Sequence, residues 1–225
     1  GALAGDEAKF VSEVLAEETP ALRIGALAGP VFPDDLVHKS FAAMVVASHY
    51  REVCTEARRL LGIKRVLRIY QSNDLLGVEL SAALSGAYAI AMGLGDGQEL
   101  DACSRAVLIT RIVAEATRFI QGIGGERKTF AGLAGLGNLL VRSSPSAVER
   151  KRDYSLGLHL GKSNGDMESI EHASVGTYAA LRGLSLAEEN GIRLPVLLAI
   201  GAVLTGKVSA KEAVALLADS VAAEE

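Results

Sequence analysis

The 225-residue chain has no tryptophan, and aromatic residues make up only 4 % of it. With so few large rings, the core has to be built from Ala, Leu, Val and Ile, which favours helices packed closely together. There are two cysteines, Cys54 and Cys103. They form neither a metal-ligand spacing nor a disulfide framework, so a reduced, cytoplasmic protein is expected. Positive charge is not in excess. The formal net charge is −4, which gives no electrostatic reason to expect nucleic acid. The four histidines, His38, His49, His159 and His172, are scattered, with no two at helical ligand spacing, and no metal is expected. No apolar run reaches the roughly 20 residues of a membrane-spanning helix, and no basic and apolar leader opens the chain. No Gly-x-Gly-x-x-Gly follows a strand pattern, so any phosphate-binding loop for a dinucleotide lies outside this chain. No internal repeat is evident. The chain opens on Gly1 instead of Met, and we expect it to be part of a longer gene product.

Hydrophobic residues make up 49 % of the chain and charged residues 22 %, ample for a packed core. The densest stretch runs from Val78 to Met92, rich in Ala and Leu, with Glu79 its one charge, and is followed by Gly93, Gly95 and Gly97 around Asp96. It reads as a buried core helix closed by a Gly-Asp-Gly turn.

Before it, α and β patterns alternate. Phe10 to Glu18 has helical spacing and stops before Pro20, and Arg23 to Leu27 is a short strand candidate leading to a turn at Gly29, Pro30 and Pro33. Ala42 to Ser48 reads as a strand covered on both faces, Arg51 to Leu61 as an amphipathic helix and Val66 to Tyr70 as a strand, together suggesting the back half of a parallel sheet.

After residue 72 the patterns are helical. Ser104 to Gln121 carries one greasy and one charged face through Val107, Leu108, Arg111, Ile112 and Glu115, and ends at Gly122 to Gly125. Thr129 to Leu140 is unusually rich in glycine. A charged segment leads into Tyr154 to Gly161, and Val175 to Glu189 is helical up to Asn190 and Gly191. Pro195 to Leu204 starts with proline at the first helical position, and Ser209 with Glu212 forms a capping box for the last helix. The expected division is residues 1–72 as the C-terminal part of a Rossmann-like domain and 73–225 as a helical domain.

On residues alone the chemistry is sparse. Gly132, Gly135 and Gly137 invert the order of a dinucleotide fingerprint and suit close helix packing. Ser85 has no nearby His or Lys to activate it. Arg150, Lys151 and Arg152 form either a solvated charge cluster or a phosphate clamp, the composition favouring the former.

The order of short words then carries a resemblance. Ala28-Gly-Pro-Val-Phe32, Tyr70-x-Ser-Asn-Asp74, Gly77-Val-Glu-Leu80, Ala83-Leu84, Ala89-Ile-Ala91, Leu108-Ile-Thr-Arg111, Phe130-x-Gly-Leu-Ala-Gly-Leu-Gly137, Gly157-x-x-Leu-Gly161 and Gly191-x-x-x-Pro195 follow one another without obvious gaps. Together they resemble the bacterial NAD(P)-dependent glycerol-3-phosphate dehydrogenase family across nearly the whole chain. The resemblance implies a mostly α protein: the back half of a Rossmann-like domain, then an all-helical substrate domain of the 6-phosphogluconate-dehydrogenase-like type. It implies NAD or NADP as cofactor, a small phosphorylated substrate, a homodimer, and hydride transfer between dihydroxyacetone phosphate and sn-glycerol 3-phosphate for lipid headgroups.

Position by position, the site departs from the family. Where the resemblance implies a catalytic lysine and its neighbouring asparagine stand Ser85 and Gly86, and where it implies a partner aspartate stands Asn138. Where a substrate-contacting threonine is usual stands Arg142. The phosphate-gripping Arg-Asn pair matches Arg152 and Asp153. A family Lys-Gly-Ile lines up with Gly1, Ala2 and Leu3. A Val-Glu-Gly element matches Ser174, Val175 and Gly176, placing Val175, with Gly29, Pro30 and Phe32, at cofactor-side positions. Loss of a preorganised donor costs about 10²–10³ in rate and loss of acid–base help about 10²–10⁴. The expectation is therefore a family fold with lost or altered catalysis, a possible pseudoenzyme with a binding or regulatory role. The alternatives are a rebuilt oxidoreductase using Arg142 with Lys151 or Arg152, and a structural module that dimerises.

Overall fold

The computed structural model describes residues 3–4, 9–32, 36–37, 41–144, 152–165 and 174–219. Expectations placed on Gly1, Ala2, Pro33, His38, Arg150, Lys151 and His172 fall outside the described residues. The chain forms two compact units, one of Gly1–Ser85 with Ala116–Val141 and one of Gly86–Glu115 with Arg142–Glu225.

The first unit holds all the β-structure of the described residues. Strand β1 (Leu3–Ala4) pairs antiparallel with β2 (Lys9–Phe10), which leads into helix α1 (Val11–Glu18). The main sheet has the order β3 (Ala26–Ala28), β4 (Ala42–Ala47), β5 (Leu67–Ser72). Between β4 and β5 lies α2 (Arg51–Leu61), whose single buried residue, Cys54, lies against the Val46 and Ser72 carbonyls. β4 and β5 run parallel in the register Ala42 to Leu67 through Ala47 to Ser72. β3 pairs antiparallel with β4, Ala26 facing Ala47. The sheet is therefore mixed where an all-parallel one was expected. Its third strand also lies later than the expected Arg23 to Leu27. The strand ends at Gly29, whose φ is 155° and where a Cβ would sit 2.8 Å from the Met44 Cα, so only glycine fits this exit.

The long helix α3 (Leu75–Gly97) starts in the first unit. Asp74 opens it by accepting the Gly77 N–H at 2.9 Å, and the same carboxylate takes the Glu126 N–H at 2.9 Å and the Thr129 hydroxyl. Glu79, the one charge of the apolar run, is buried and satisfied by the Ser12 N–H at 3.0 Å and the Ser12 hydroxyl. Leu75, Val78 and Ala82 pack with Ala28, Ala47 and Ala134 into one cluster. At 23 residues α3 is long and apolar enough to cross a bilayer, contrary to the shorter reading of its sequence. Nearly all of it is buried by protein, as a core helix is. Of the three glycines at its end, Gly93 and Gly95 lie inside the helix and Gly97 is its last residue; other backbone lies against Gly93 and Gly97.

α4 (Ala102–Gly122) follows. A five-residue π-helical turn (Leu133–Gly137) feeds α5 (Asn138–Arg142), so the glycine-dense segment forms a distorted helix start. The second unit is completed by α6 (Arg152–Lys162), α7 (Val175–Glu189), α8 (Pro195–Leu204) and α9 (Ala210–Asp219). α7 and α8 match their expected bounds residue for residue. The capping box is present as expected: the Glu212 carboxylate accepts the Ser209 N–H at 2.8 Å and the Ser209 hydroxyl accepts the Glu212 N–H at 3.2 Å.

Candidate functional site

In the first unit Ser85 and Asn138 meet. Ser85 lies on α3, fully buried, and its hydroxyl donates back to the Ala82 carbonyl at 2.7 Å, the usual helical retreat for a serine with no better acceptor. Asn138, at the first position of α5 where the π-helical turn ends, donates its side-chain N–H to the Ser85 Oγ at 2.8 Å. Both groups are neutral. Between them they offer hydrogen bonds but no fixed charge and no proton of ordinary acidity near neutral pH.

Gly29 and Pro30 follow β3, and Pro30 lies beside Gly137, since a Cβ there would sit 3.5 Å from the proline ring. Phe32 is half-buried. The tight fit of Gly29 is against Met44 of its own sheet, so this glycine serves the sheet and is not an open phosphate cradle. Among the described residues none forms a dinucleotide phosphate loop, and no step of hydride transfer is assigned to them.

In the second unit a buried carboxylate takes the central place. Asp153, in the first turn of α6, accepts the Gly176 N–H at 2.9 Å on one oxygen and the Arg142 guanidinium at 2.9 Å on the other. Gly86 on α3 and Gly176 on α7 touch backbone to backbone beside it: a Cβ on Gly176 would sit 2.7 Å from both the Gly86 carbonyl oxygen and Asp153. The carboxylate thus satisfies an N-terminal N–H of α7, where the helix dipole also favours negative charge. Arg142 is held by this ion pair. Arg152, on the same turn as Asp153, is exposed, and Val175 is 59 % exposed at the start of α7.

Two charged groups have surroundings that the sequence does not suggest. Asp96, read as a turn residue, sits inside α3, where it binds Arg105 at 3.1 Å and accepts the Tyr154 hydroxyl at 2.8 Å. Burial, then the hydrogen bond to Asp96 and its charge, push the Tyr154 hydroxyl up to about 12, against a smaller opposing pull from Arg105. A raised folded value means that Tyr154 stabilises fully below pH 10, its unfolded value, and that this is lost as the pH rises from 10 through about 12. Tyr154→Phe should therefore flatten the alkaline loss of stability by roughly 2 kcal/mol, read as urea midpoints between pH 9 and 12. An unchanged pH profile would refute that role. The second group, Glu115, is 2 % exposed, whereas its expected greasy neighbour Val107 is 52 % exposed.

Residues 74–215 match the family model of the NAD-dependent glycerol-3-phosphate dehydrogenase C-terminus. The chain belongs to that family. It is 39 % identical over 209 residues to a glycerol-3-phosphate dehydrogenase (NAD(P)+) of Polaromonas naphthalenivorans, covering 92 % of this chain and 59 % of the relative. A Sinorhizobium fredii enzyme of the same name is 38 % identical, with 91 % and 60 % covered. The chain thus spans about 60 % of the length of these curated relatives. Among solved structures, glycerol-3-phosphate dehydrogenase from Coxiella burnetii superposes with a TM-score of 0.84 at 28 % identity, over 97 % of this chain and 66 % of that one. The Plasmodium falciparum enzyme gives 0.86 at 14 % identity over 100 % and 64 %, a likeness of fold alone. The mostly helical fold with its small sheet is the family's.

Proposed function

We propose that this chain is the substrate-side part of a glycerol-3-phosphate dehydrogenase homologue whose parent reaction is lost or altered, residues 1–72 being the end of a Rossmann-like domain and 73–225 a helical substrate and dimerisation domain. The observation that carries this reading is the buried Ser85–Asn138 pair, bonded at 2.8 Å, at the positions where the resemblance implies a lysine and an aspartate. Hydride transfer to a ketone builds negative charge on the carbonyl oxygen, and a preorganised cation there is worth about 10²–10³ in rate. A serine hydroxyl already donating to Ala82 and an amide donating to that serine supply no such charge. The rebuilt-site alternative lacks support: Arg142 is neutralised by Asp153, and Arg152 is exposed. The same carboxylate opposes binding of a phosphate beside it, whatever the cofactor, NAD or NADP.

The test is NADH oxidation with dihydroxyacetone phosphate on the full-length gene product, run beside Ser85→Lys/Asn138→Asp. The native protein is expected to be silent and the double variant to gain slow turnover. Native turnover at an ordinary enzyme rate, roughly 1–10³ s⁻¹, would overturn the reading.

A second reading, assembly as a homodimer, is supported by α7 itself. Val175, Tyr178 and Leu181 are exposed at three-residue spacing, and Leu198 of α8 is exposed as well. Sedimentation should give twice the chain mass, with Tyr178→Glu shifting it to the monomer. A monomeric parent protein rejects this reading.

A further inference from the structure

We propose that the second unit carries a binding pocket for an anionic amphiphile, built from residues other than those of the Ser85 and Asp153 clusters and independent of the function proposed above. Helices α3, α4, α8 and α9 line a cavity of about 350 Å³ that is partly open to solvent. Its floor is buried and apolar, formed by Leu94, Leu108 and Ile200, and Ala91, Ala199 and Ala213 around it present too little volume to fill it. Voids much larger than a water molecule are rare in packed interiors. This one contrasts with the opposite side of the same stretch of α3, where Gly93 brings backbone against backbone. The volume lies at the small end of ligand sites, which span about 300–1,000 Å³ and pair an apolar lining with a few polar groups.

Among the described residues the one charged group lining the pocket is Arg111. One of its N–H groups donates to the Leu217 carbonyl, leaving guanidinium donors over. Among the described residues no carboxylate forms an ion pair with it. An apolar slot with a single cation is complementary to an apolar chain of moderate length ending in a carboxylate or phosphate. A neutral apolar molecule would forgo the charge, and a small anion such as acetate would leave the slot unfilled.

Cys103 provides the readout, because it is exposed and lines the pocket, whereas the chain's other cysteine, Cys54, is buried. The experiment measures the rate of Cys103 alkylation by iodoacetamide in the presence of hexanoate, octanoate or decanoate below their micellar concentrations, with acetate and decanol as controls. Decanoate should slow labelling at least tenfold, with half-protection tightening about fourfold per added methylene, the value of burying one CH₂. Arg111→Gln should weaken decanoate about tenfold while leaving decanol unchanged. Val107→Trp, at the exposed rim, should abolish protection in a protein that still unfolds cooperatively. Absence of protection, protection independent of chain length, or equal protection by decanol and decanoate would each overturn the proposal. So would protection that grows with protein concentration alone, which would make the cavity a contact between copies of the chain.

Discussion

Replacing Glu115 by alanine should remove about 3–5 kcal/mol of unfolding free energy, a third or more of what a domain of this size commonly has. The carboxylate is buried in the second unit and accepts three donors: the Tyr88 hydroxyl at 3.0 Å, the Val196 N–H at 2.7 Å and the Leu197 N–H at 2.9 Å. The last two are free amides of the first turn of α8. That helix opens at Leu194 and Pro195, and Leu194 has no side chain able to cap it. Glu115 is therefore a cap supplied from α4, and its negative charge also sits favourably at the positive end of the helix dipole. Truncation leaves two N–H groups and a hydroxyl without this acceptor where water is scarce, at about 1–3 kcal/mol for each left unsatisfied.

Companion variants separate the contributions. Glu115→Gln keeps the shape but turns an N–H₂ group toward one of the donors, so a loss of about 2 kcal/mol is expected. Tyr88→Phe leaves the carboxylate its two amides and should cost only about 1 kcal/mol. Urea unfolding of the three variants checks the order. A Glu115→Ala protein within 1 kcal/mol of the parent would show that water or a shifted helix replaces the cap.

What the sequence made legible follows from how local each signal is. Pro195 at a first helical position, Asn190 with Gly191 at a helix end and Ser209 with Glu212 as a capping box are satisfied within a few residues, and each appears where expected. Glu115 was placed on a charged face because charge usually seeks water. Its amide partners are 81 and 82 positions away and its hydroxyl partner 27. A signal was available nonetheless, in a helix that begins Leu-Pro with no capping side chain and so needs an acid from elsewhere. Asp96 misled in the same way: glycines on either side look like a turn, and only Arg105 and Tyr154 reveal a partly buried network. The antiparallel sense of β3 was hidden too, because three short residues carry no direction and the choice is made by pairing with β4. At the site, the resemblance singled out Ser85 and Asn138, and they are bonded to each other. It also singled out Arg152 with Asp153, yet the arginine that holds Asp153 is Arg142. Neighbours in sequence on a helix point about 100° apart, so such a pair need not share a target.

Gly157→Ala sets two well-known effects against each other, and the structure decides the sign. In an isolated helix alanine is better than glycine by about 1 kcal/mol, so propensity alone predicts a more stable α6. Here a Cβ on Gly157 would fall 2.0 Å from the Ile90 carbonyl oxygen and 2.9 Å from the Ile90 Cα. The contact is reciprocal: on α3 a Cβ at Gly93 would lie 2.1 Å from the Tyr154 carbonyl oxygen, and one turn on Gly97 and Gly161 face each other, each 2.8 Å from where the other's Cβ would be. Four glycines at i, i+4 spacing on two helices thus let backbone meet backbone. The atoms in the way are backbone, which has no rotamer to escape into, so the helices have to separate. Overpacking typically costs about 1–3 kcal/mol and occasionally more; against unyielding backbone the cost falls at the upper end, and it outweighs the propensity gain. The expected result is a net loss of at least about 2 kcal/mol in thermal or urea unfolding of Gly157→Ala. Gly93→Ala breaks the same contact and should lose a similar amount. The double variant should then lose clearly less than the sum, because helices already pushed apart have room for the second methyl. Strict additivity, or a more stable Gly157→Ala protein, would mean that α6 does not rest on α3 through these glycines.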